Sequence, residues 1–407
     1  MSLVNMILFG SIVLAVYGSV NFYILRRGWQ ALSGHAFLQS VFLIVFLFLI
    51  LCYPLARLLE RAGRGGLTDF LIISGSFYLA LMIYAFLLIL AIDALRLLNA
   101  FLKIFLKTPP QHAIAPAFLA FWVVLGVCLA AIVLGYLNAS RLVYRDVEIT
   151  TPKPAGGIKE LRILSASDIH FGTVLDGGRL RKIVAMINEA KPDLVLLPGD
   201  TLDEDISDEK AAELSEIFGD IQAPLGIFAV LGNHEYYAGV ERSLAALKKS
   251  GVVVLQDQSV VIEGSLVILG RKDRTGLRTR EPRTSLEAIL AGSDRHLPLI
   301  LLDHQPFHLE EAEKSGIDLQ LSGHTHDGQL FPFDLINKKL YEINWGTLRK
   351  GKTTVDVSCG VGTWGPPVRT AGRSEIVRIK IIFKPAGPKN RHLSSPADNP
   401  PIPKTKK

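Results

Sequence analysis

Hydrophobic positions dominate the first third of this 407-residue chain, and short apolar runs that end in polar clusters follow. Four early stretches contain no charged residue: 1–25, 28–56, 70–92 and 108–140. Each can supply the roughly 20 apolar residues that cross a hydrocarbon core. A cleaved signal peptide does not explain the first stretch, because it lacks a basic leading region and its apolar run is too long. The pattern predicts a transmembrane anchor of four helices within residues 1–140.

The orientation of these spans depends on the basic residues beside them, which are nearly balanced between the two sides. An uncharged N-terminus followed by Arg26 and Arg27 favours a cytoplasmic first loop. This predicts a multi-pass protein of a bacterial cell membrane with its catalytic half on the outer side. Few ionisable residues lie within the spans, so we expect an anchor and not a transport path.

The second half, after a predicted linker at residues 141–158, has a different pattern. Leu-rich or β-branched runs end in polar clusters in "LRILSASDIH", "PDLVLLPGDTLD", "GIFAVLGNHE", "PLILLDHQP" and "LQLSGHTH". Continuous apolar runs of this length are typical of strands covered on both faces, and "GRLRKIVAMINEAK" and "VERSLAALKKSG" have the spacing of covering helices. The pattern predicts an α/β fold whose polar clusters meet at one sheet edge.

The polar clusters contain oxygen and nitrogen ligands and no sulfur. The seven candidate metal ligands are Asp168, His170, Asp200, Asn233, His304, His324 and His326. One tetrahedral zinc needs fewer, so the set suits two divalent ions, with manganese, iron and zinc all acceptable. Asp200 would bridge them, and a metal-activated water would be the nucleophile. A single Asp-x-His is a common accident, and the prediction depends on the ordered set.

Five ordered motifs, "DIH", "GDTLD", "GNHE", "DHQP" and "GHTH", resemble those of the calcineurin-like metallophosphoesterases, and "VDVSCGVGTWGPPVRTAGRSEIVRI" resembles the membrane-linked bacterial branch. The resemblance implies a four-layer α/β/β/α sandwich, which we expect over residues 159–383. It also implies metal assignments: the first ion would bind Asp168, His170, Asp200 and His326, and the second Asp200, Asn233, His304 and His324. His234 would be the general acid, oriented by Asp203.

Three features depart from the family pattern. Asp327 follows the last histidine where the branch usually has glycine, and it would either repel phosphate or accept a hydrogen bond. Glu204 stands where protein phosphatases have a phosphate-binding arginine. The basic cluster Arg271, Lys272 and Arg274 would either supply that phosphate contact or lie in an exposed loop.

Composition excludes some functions. A formal net charge of +6 comes without an aromatic-interleaved basic stripe, so we expect no nucleic-acid partner. Cys359 is the only cysteine of the second half, which therefore has no internal disulfide. The Pro- and Lys-rich residues 384–407 predict a disordered basic tail.

The sequence therefore predicts a membrane-anchored, metal-dependent phosphoric-ester hydrolase, a phosphodiesterase or phosphatase. Its partners would be the bilayer and a phosphoester substrate, and proximity favours a lipid-linked phosphoester or pyrophosphate. The alternative is a catalytically silent membrane sensor or scaffold that keeps the metal-binding fold. The first coordination shell does not encode the leaving group, the metal or the oligomeric state, so these stay open.

Overall fold

The computed structural model describes residues 3–60, 65–102, 114–204, 207–279 and 283–383. The predicted tail at 384–407 lies outside these residues. The N-terminal helices are α1 Leu3–Ala31, α2 Ala36–Leu59, α3 Gly66–Leu102 and α4 Ile114–Ser140.

Three helices in the described part of the chain are long and apolar enough to cross a membrane: Ala36–Leu59, Gly66–Leu102 and Pro116–Ser140. They correspond to the second, third and fourth predicted spans. Helix α1 is not among the three, although it has 29 residues. The side chains of residues 1–7 and 9, within the predicted first span, lie outside the described part.

The second half contains twelve strands and seven further α-helices in its described residues. The strands are β1 Leu142–Thr151, β2 Glu160–Ser165, β3 Leu194–Pro198, β4 Ile227–Val230, β5 Val253–Val254, β6 Gln258–Ile262, β7 Leu266–Gly270, β8 Leu299–Leu302, β9 Leu319–Ser322, β10 Gly346–Lys350, β11 Thr353–Val357 and β12 Ser374–Phe383. The helices are α5 Gly177–Glu189, α6 Asp208–Phe218, α7 Asn233–Ala238, α8 Val240–Lys249, α9 Leu286–Ile289, α10 Leu309–Lys314 and α11 Phe333–Leu340. Two 3₁₀ turns occupy Arg274–Thr279 and His326–Gly328.

The strands form two mixed six-stranded sheets, in the orders β1-β12-β2-β3-β4-β5 and β10-β11-β9-β8-β7-β6. Alternation along β3 builds two cores: Leu194 and Leu196 pack between the sheets, whereas Val195 and Leu197 pack against the helix layer of α5, α6 and α8. Helices α9 and α10 cover the outer face of the second sheet. The α/β fold predicted from the strand pattern is confirmed, and so is the sandwich that the family resemblance implies, with helix layers outside both sheets.

The connection between the two halves differs from the predicted linker. Only Arg141 separates α4 from β1, and β1 pairs in parallel with β12 over its full length, from Leu142 opposite Ser374. Strand β12 is antiparallel to β2, so β1 starts at the edge where β2 ends. The segment adds an edge strand because its backbone donors and acceptors pair with β12. The chain therefore passes from α4 directly to the edge where the ligand-bearing turns lie.

The last turn of α4 is capped by donors from the catalytic half. The Arg179 guanidinium donates to the carbonyls of Ala139 and Ser140, and the Ser374 hydroxyl also donates to Ala139, at 2.8 Å. The Asn138 amide donates to the carbonyls of Arg369 and Gly372, at 3.0 Å each. Carbonyls at a helix end have no partner within the helix, so the Arg179 and Ser374 donors satisfy groups that would otherwise be unpaired. Together with the Asn138 bonds, they join the two halves.

Arg145 of β1 ties the two sheets together. Its guanidinium binds both carboxylate oxygens of Asp356 at 2.9 Å and one oxygen of Glu375 at 3.1 Å. Both carboxylates are buried. A bidentate arginine satisfies two buried charges here, so removing it would leave them unpaired.

We therefore expect Arg145→Met to destabilise the protein by about 3–5 kcal/mol, which is the usual cost of stranding a buried charge. Arg378→Met is the matched control, because Arg378 pairs with Asp146 on an exposed part of β12 and β1. That change should cost less than about 1 kcal/mol. Thermal unfolding of the detergent-solubilised chain measures both, and equal losses of Tm would contradict the assignment.

Candidate metal centre

Every candidate ligand lies just after a strand of one of the two sheets. Asp168 and His170 follow β2, Asp200 follows β3, and Asn233 begins α7 after β4. From the second sheet, His304 follows β8, while His324 and His326 follow β9. The structure brings all seven together where the two sheet edges face each other, because neighbouring parallel strands end at the same edge.

The first cluster consists of Asp168, His170 and His326, and all three side chains are buried. The Nε2 atoms of the two imidazoles face each other at 3.1 Å. His326 Nε2 also lies 3.6 Å from Asp168 Oδ1. Asp168 Oδ2 is buried with no hydrogen-bond partner in the described residues. Several imidazole nitrogens and carboxylate oxygens thus converge here, and not every one of them has a hydrogen-bond donor.

The second cluster consists of Asp200, His304 and His324, with Asn233 beside them. Asn233 Oδ1 lies 2.7 Å from His324 Nδ1 and 3.2 Å from His304 Nε2. His304 Nδ1 lies 2.8 Å from the Pro198 carbonyl. A hydrogen bond to that carbonyl puts a proton on Nδ1, so Nε2 is the nitrogen that could bind a metal.

Asp200 lies between the two clusters. Its Oδ2 atom is 3.1 Å from His304 Nε2 and 3.9 Å from His170 Nε2. Its Oδ1 atom accepts the backbone N–H of His234 at 2.9 Å. Asp200 therefore lies within 4 Å of an imidazole from each cluster.

Five of the seven ligand residues have left-handed backbone conformations: Asp168, His170, Asp200, His324 and His326, with φ between 50° and 70°. Non-glycine residues in this region cost of order 1–3 kcal/mol each where the fold must hold them there. At these five positions the turns direct the side chains into the candidate centre. The strained backbone therefore lowers the stability of the fold while it fixes the positions of the candidate ligands.

Close packing explains the glycines of two motifs. A Cβ at Gly232 would lie 2.1 Å from Asp200 Oδ1, and one at Gly323 would lie 2.1 Å from Asp168 Oδ2. Any side chain at either position would displace a candidate ligand. The glycines of "GNHE" and "GHTH" are thus required by the approach of two carboxylates.

Burial keeps two of the imidazoles neutral. Burial and the charge of His234 lower the pKa of His170 to about 4, and burial and His304 lower the pKa of His324 to about 4. The neutral imidazole is the form that binds a metal ion. Converging carboxylate, amide and neutral imidazole donors without sulfur fit divalent cations such as manganese, iron or zinc.

His234 lies beside the first cluster, with its ring centroid 4.5 Å from that of His170. Its Nδ1 atom is 3.4 Å from Asp203 Oδ1, which is long for a hydrogen bond, and 3.8 Å from Glu204 Oε1. Burial acts to lower the pKa of His234, but these carboxylates and Asp200 outweigh it and raise the pKa to about 9. The imidazolium is thus the favoured form at neutral pH.

Glu204 also connects the centre with the membrane half. Arg57 of α2 lies 3.7 Å from Glu204 Oε2, on the side away from His234. The acidic residue that replaces a phosphate-binding arginine therefore faces a cation from the anchor. The sequence offered no signal for this pairing, because 147 positions separate the two residues.

Glu235 is an organising residue to which the sequence pattern assigned no role. Its buried carboxylate accepts the backbone N–H groups of Asp200 at 3.1 Å, Leu202 at 2.9 Å and Gly232 at 2.7 Å. Burial and the charge of Asp200 raise its pKa, whereas these donors act to lower it. The motif "GNHE" contains the only available signal, an acidic residue directly after the site residues.

Arg369 is a second residue that sequence reasoning missed. Its fully buried guanidinium donates to the carbonyls of Cys359 and Gly362 at 2.6 Å and to that of His326 at 3.2 Å. It also lies 3.2 Å from His326 Nδ1. The arginine holds the glycine turn of the quoted C-terminal segment against a candidate ligand. The available signal in the sequence for this role was an arginine between the glycine turn and the strand that follows it.

Trp364, at the mouth of the centre, comes from the same turn. Its exposed ring lies 6.2 Å from that of His234. Gln329 fixes the position of the turn by donating to the Trp364 carbonyl at 2.9 Å and accepting its N–H at 2.9 Å. An aromatic face therefore borders the candidate general acid.

The two open questions about flanking residues have structural answers. Asp327 accepts a hydrogen bond from the Asn344 amide at 2.6 Å, and burial raises its pKa. Arg271 is buried and pairs with Glu311 at 2.7 Å and with Asp303 at 3.5 Å. The Arg274 guanidinium lies over the Phe307 ring at 4.8 Å. Both arginines are thus engaged by other side chains.

Comparison with known proteins identifies the family. The calcineurin-like phosphoesterase family matches residues 161–328. An uncharacterized metallophosphoesterase of Aquifex aeolicus is 38% identical over 262 residues, which cover 62% of this chain and 98% of that protein. This chain belongs to the metallophosphoesterase family. It is therefore a member of a hydrolase family that acts on phosphoric ester bonds, and its fold implies divalent metal ions.

Two further relatives extend the comparison. The "Transmembrane protein with metallophosphoesterase domain" of Danio rerio is 35% identical over 248 residues, covering 58% of this chain and 56% of that protein. Phosphodiesterase YaeI of Escherichia coli is 29% identical over 238 residues, covering 54% of this chain and 82% of that protein. With its apolar helices, this metallophosphoesterase is a membrane protein.

The role of Glu235 generates a prediction. Glu235→Gln should lower stability by about 1–3 kcal/mol, because its amide would point a donor at backbone N–H groups that need an acceptor. Glu241→Gln is the control, since Glu241 is exposed on α8 and its loss should stay within about 0.5 kcal/mol. Thermal unfolding measures both variants. A Tm for Glu235→Gln equal to that of the control would show that the carboxylate does not hold these turns.

Proposed function

We propose that this metallophosphoesterase is a membrane-anchored hydrolase that uses a dinuclear metal centre. Asp168, His170 and His326 would hold one ion, and Asn233, His304 and His324 the other, with Asp200 shared. The observation that supports this best is the convergence of two donor clusters on one carboxylate, with Asp200 Oδ2 at 3.1 Å and 3.9 Å from an imidazole of each.

Bound divalent ions supply Lewis-acid stabilisation of phosphoryl oxygens and lower the pKa of the attacking water. His234 would supply the complementary proton. Its imidazolium would protonate the leaving oxygen as the phosphorus–oxygen bond breaks, and Asp203 at 3.4 Å would orient the ring and stabilise its charge. Trp364 would border the leaving group and exclude water from that side.

The silent sensor or scaffold is less well supported. A site that has lost turnover is expected to lack ligands or the proton donor, whereas all seven donor residues, His234 and Asp203 converge here. A lipid-linked phosphoester or pyrophosphate remains the favoured substrate class. In support of this, one residue separates α4 from the sheet edge that carries the candidate ligands, which would bring the centre near the bilayer surface.

The proposal predicts the behaviour of three variants of the full-length protein after metal removal and readdition. His234→Gln should slow hydrolysis of a chromogenic phosphodiester or monoester by roughly 10²- to 10⁴-fold, the range for loss of a general acid, with metal content unchanged. Asn233→Ala should lower metal content as well as rate, because it removes a candidate ligand. Elemental analysis measures the metal.

His308→Asn is the control. His308 is exposed, has a φ of 54° that asparagine tolerates, and contacts only Glu310 among the partners described. It should leave both rate and metal content unchanged. A His234→Gln rate equal to this control would remove the general-acid role. A metal-loaded wild type that hydrolyses neither ester nor total membrane lipids would favour the silent sensor.

We further propose that the catalytic half lies on the outer side of the membrane. The support is the charge pattern of the first loop, with Arg26 and Arg27 after an uncharged N-terminus. A reporter active only outside the cytoplasm, fused after Lys407, should be active. A reporter that requires the cytoplasm, fused at the same residue, should be inactive, and the reverse pair of results would invert the orientation.

A further inference from the structure

Two loops beside the metal centre contact α3 within its uncharged stretch. Leu330 and Val368 are buried together with Ala80 of α3 and Ile132 of α4, and the Tyr84 hydroxyl of α3 bonds with that of Thr370. The uncharged stretch of α3 ends at Asp69 and Asp93. Ala80 lies 11 residues after Asp69, and Tyr84 lies 9 residues before Asp93.

These separations place the contact well inside the apolar part of α3. At 1.5 Å per residue, Ala80 is roughly 16 Å from Asp69 and Tyr84 roughly 13 Å from Asp93 along the helix axis. Helix α3 is one of the three that are long and apolar enough to cross a membrane. If α3 spans the bilayer, the loops at Leu330 and Val368 reach below its surface.

Helix α11 follows one of these loops, and the usual burial of apolar side chains and exposure of polar ones is reversed in it. Its buried position is Asp334, and its apolar side chains point outward: Phe331 just before it, then Phe333, Leu335, Ile336 and Leu340 are all exposed. A surface helix in water normally buries its apolar face. An exposed apolar patch of this kind marks an interaction site.

The same helix holds the turn between two candidate ligands. The Asn337 amide of α11 donates to the Thr325 carbonyl at 2.8 Å, between His324 and His326. A Cβ at Gly328 would lie 2.2 Å from the backbone N of Asp334. The position of α11 therefore determines the position of the turn that carries His324 and His326.

We propose that α11 lies in the plane of the membrane interface, with the face formed by Phe331, Phe333, Ile336 and Leu340 immersed in the acyl boundary of the bilayer that the spans cross. Continuity with the buried contact at Leu330 supports the bilayer as the occupant. Lys338 and Lys339 on the same helix suit the headgroup layer, because lysines flanking an apolar face favour anionic lipids. The metal centre then opens at headgroup level.

In the test, one additional cysteine is introduced into the full-length chain and labelled with an environment-sensitive fluorophore. The labelled protein is reconstituted in vesicles of phosphatidylethanolamine and phosphatidylglycerol. Ile336→Cys is the probe and Val261→Cys the matched control, since these side chains are 50% and 51% exposed. Val261 lies on the edge strand β6. The three native cysteines are buried, so the labelled wild type serves as the blank.

Lipids with a nitroxide near the headgroup should quench the probe at residue 336 at least threefold more than the probe at residue 261, and the emission at residue 336 should be blue-shifted. Equal quenching at both positions would overturn the proposal. So would protection of residue 336 from aqueous iodide without lipid quenching, because a second copy of the chain would then cover the face. Neither readout requires turnover, so it is independent of the proposed hydrolysis.

Discussion

The junction of α4 and β1 is the constraint on which the arrangement of the two halves depends. Only Arg141 separates the helix from the edge strand, and donors from Arg179 and Ser374 satisfy the last carbonyls of α4. In the opposite direction, the Asn138 amide of α4 donates to the carbonyls of Arg369 and Gly372. Unpaired carbonyls at a helix end favour such bonds strongly. Because β1 starts at the sheet edge where β2 ends, the same junction places the end of α4 at the edge that carries the candidate ligands.

The metal centre combines strained turns with rigid support. Left-handed backbones at Asp200, His324 and their partners are unfavourable alone, and buried groups behind them compensate: the Glu235 carboxylate gathers three N–H groups, and the Arg369 guanidinium gathers several carbonyls. Arg369 also accepts the Asn138 bond at its own carbonyl, while its guanidinium contacts His326. One residue thus links the end of a membrane helix to a candidate ligand.

Much of the catalytic fold could be predicted, because strand signals and ligand types are local properties. The runs before Asp168, Asp200, Asn233, His304 and His324 are strands, and the two helices expected from apolar spacing are α5 and α8. Strand β1 within residues 141–158 could not be predicted, since it depends on pairing with β12, more than 200 positions away. The engagement of Arg271 by Glu311 was equally invisible, because its partner lies 40 positions later.

By itself the sequence determined which chemistry is available: apolar stretches long enough for a bilayer, and an ordered set of oxygen and nitrogen ligands at strand ends. Those features follow from residue type and short-range periodicity, which the chain alone contains. Only the tertiary structure decided that Asp200 lies between two clusters, that Glu235 and Arg369 support them, and that α11 turns its apolar face outward. Such features depend on contacts between distant segments, and these exist only after the sheets have paired and packed against the membrane helices.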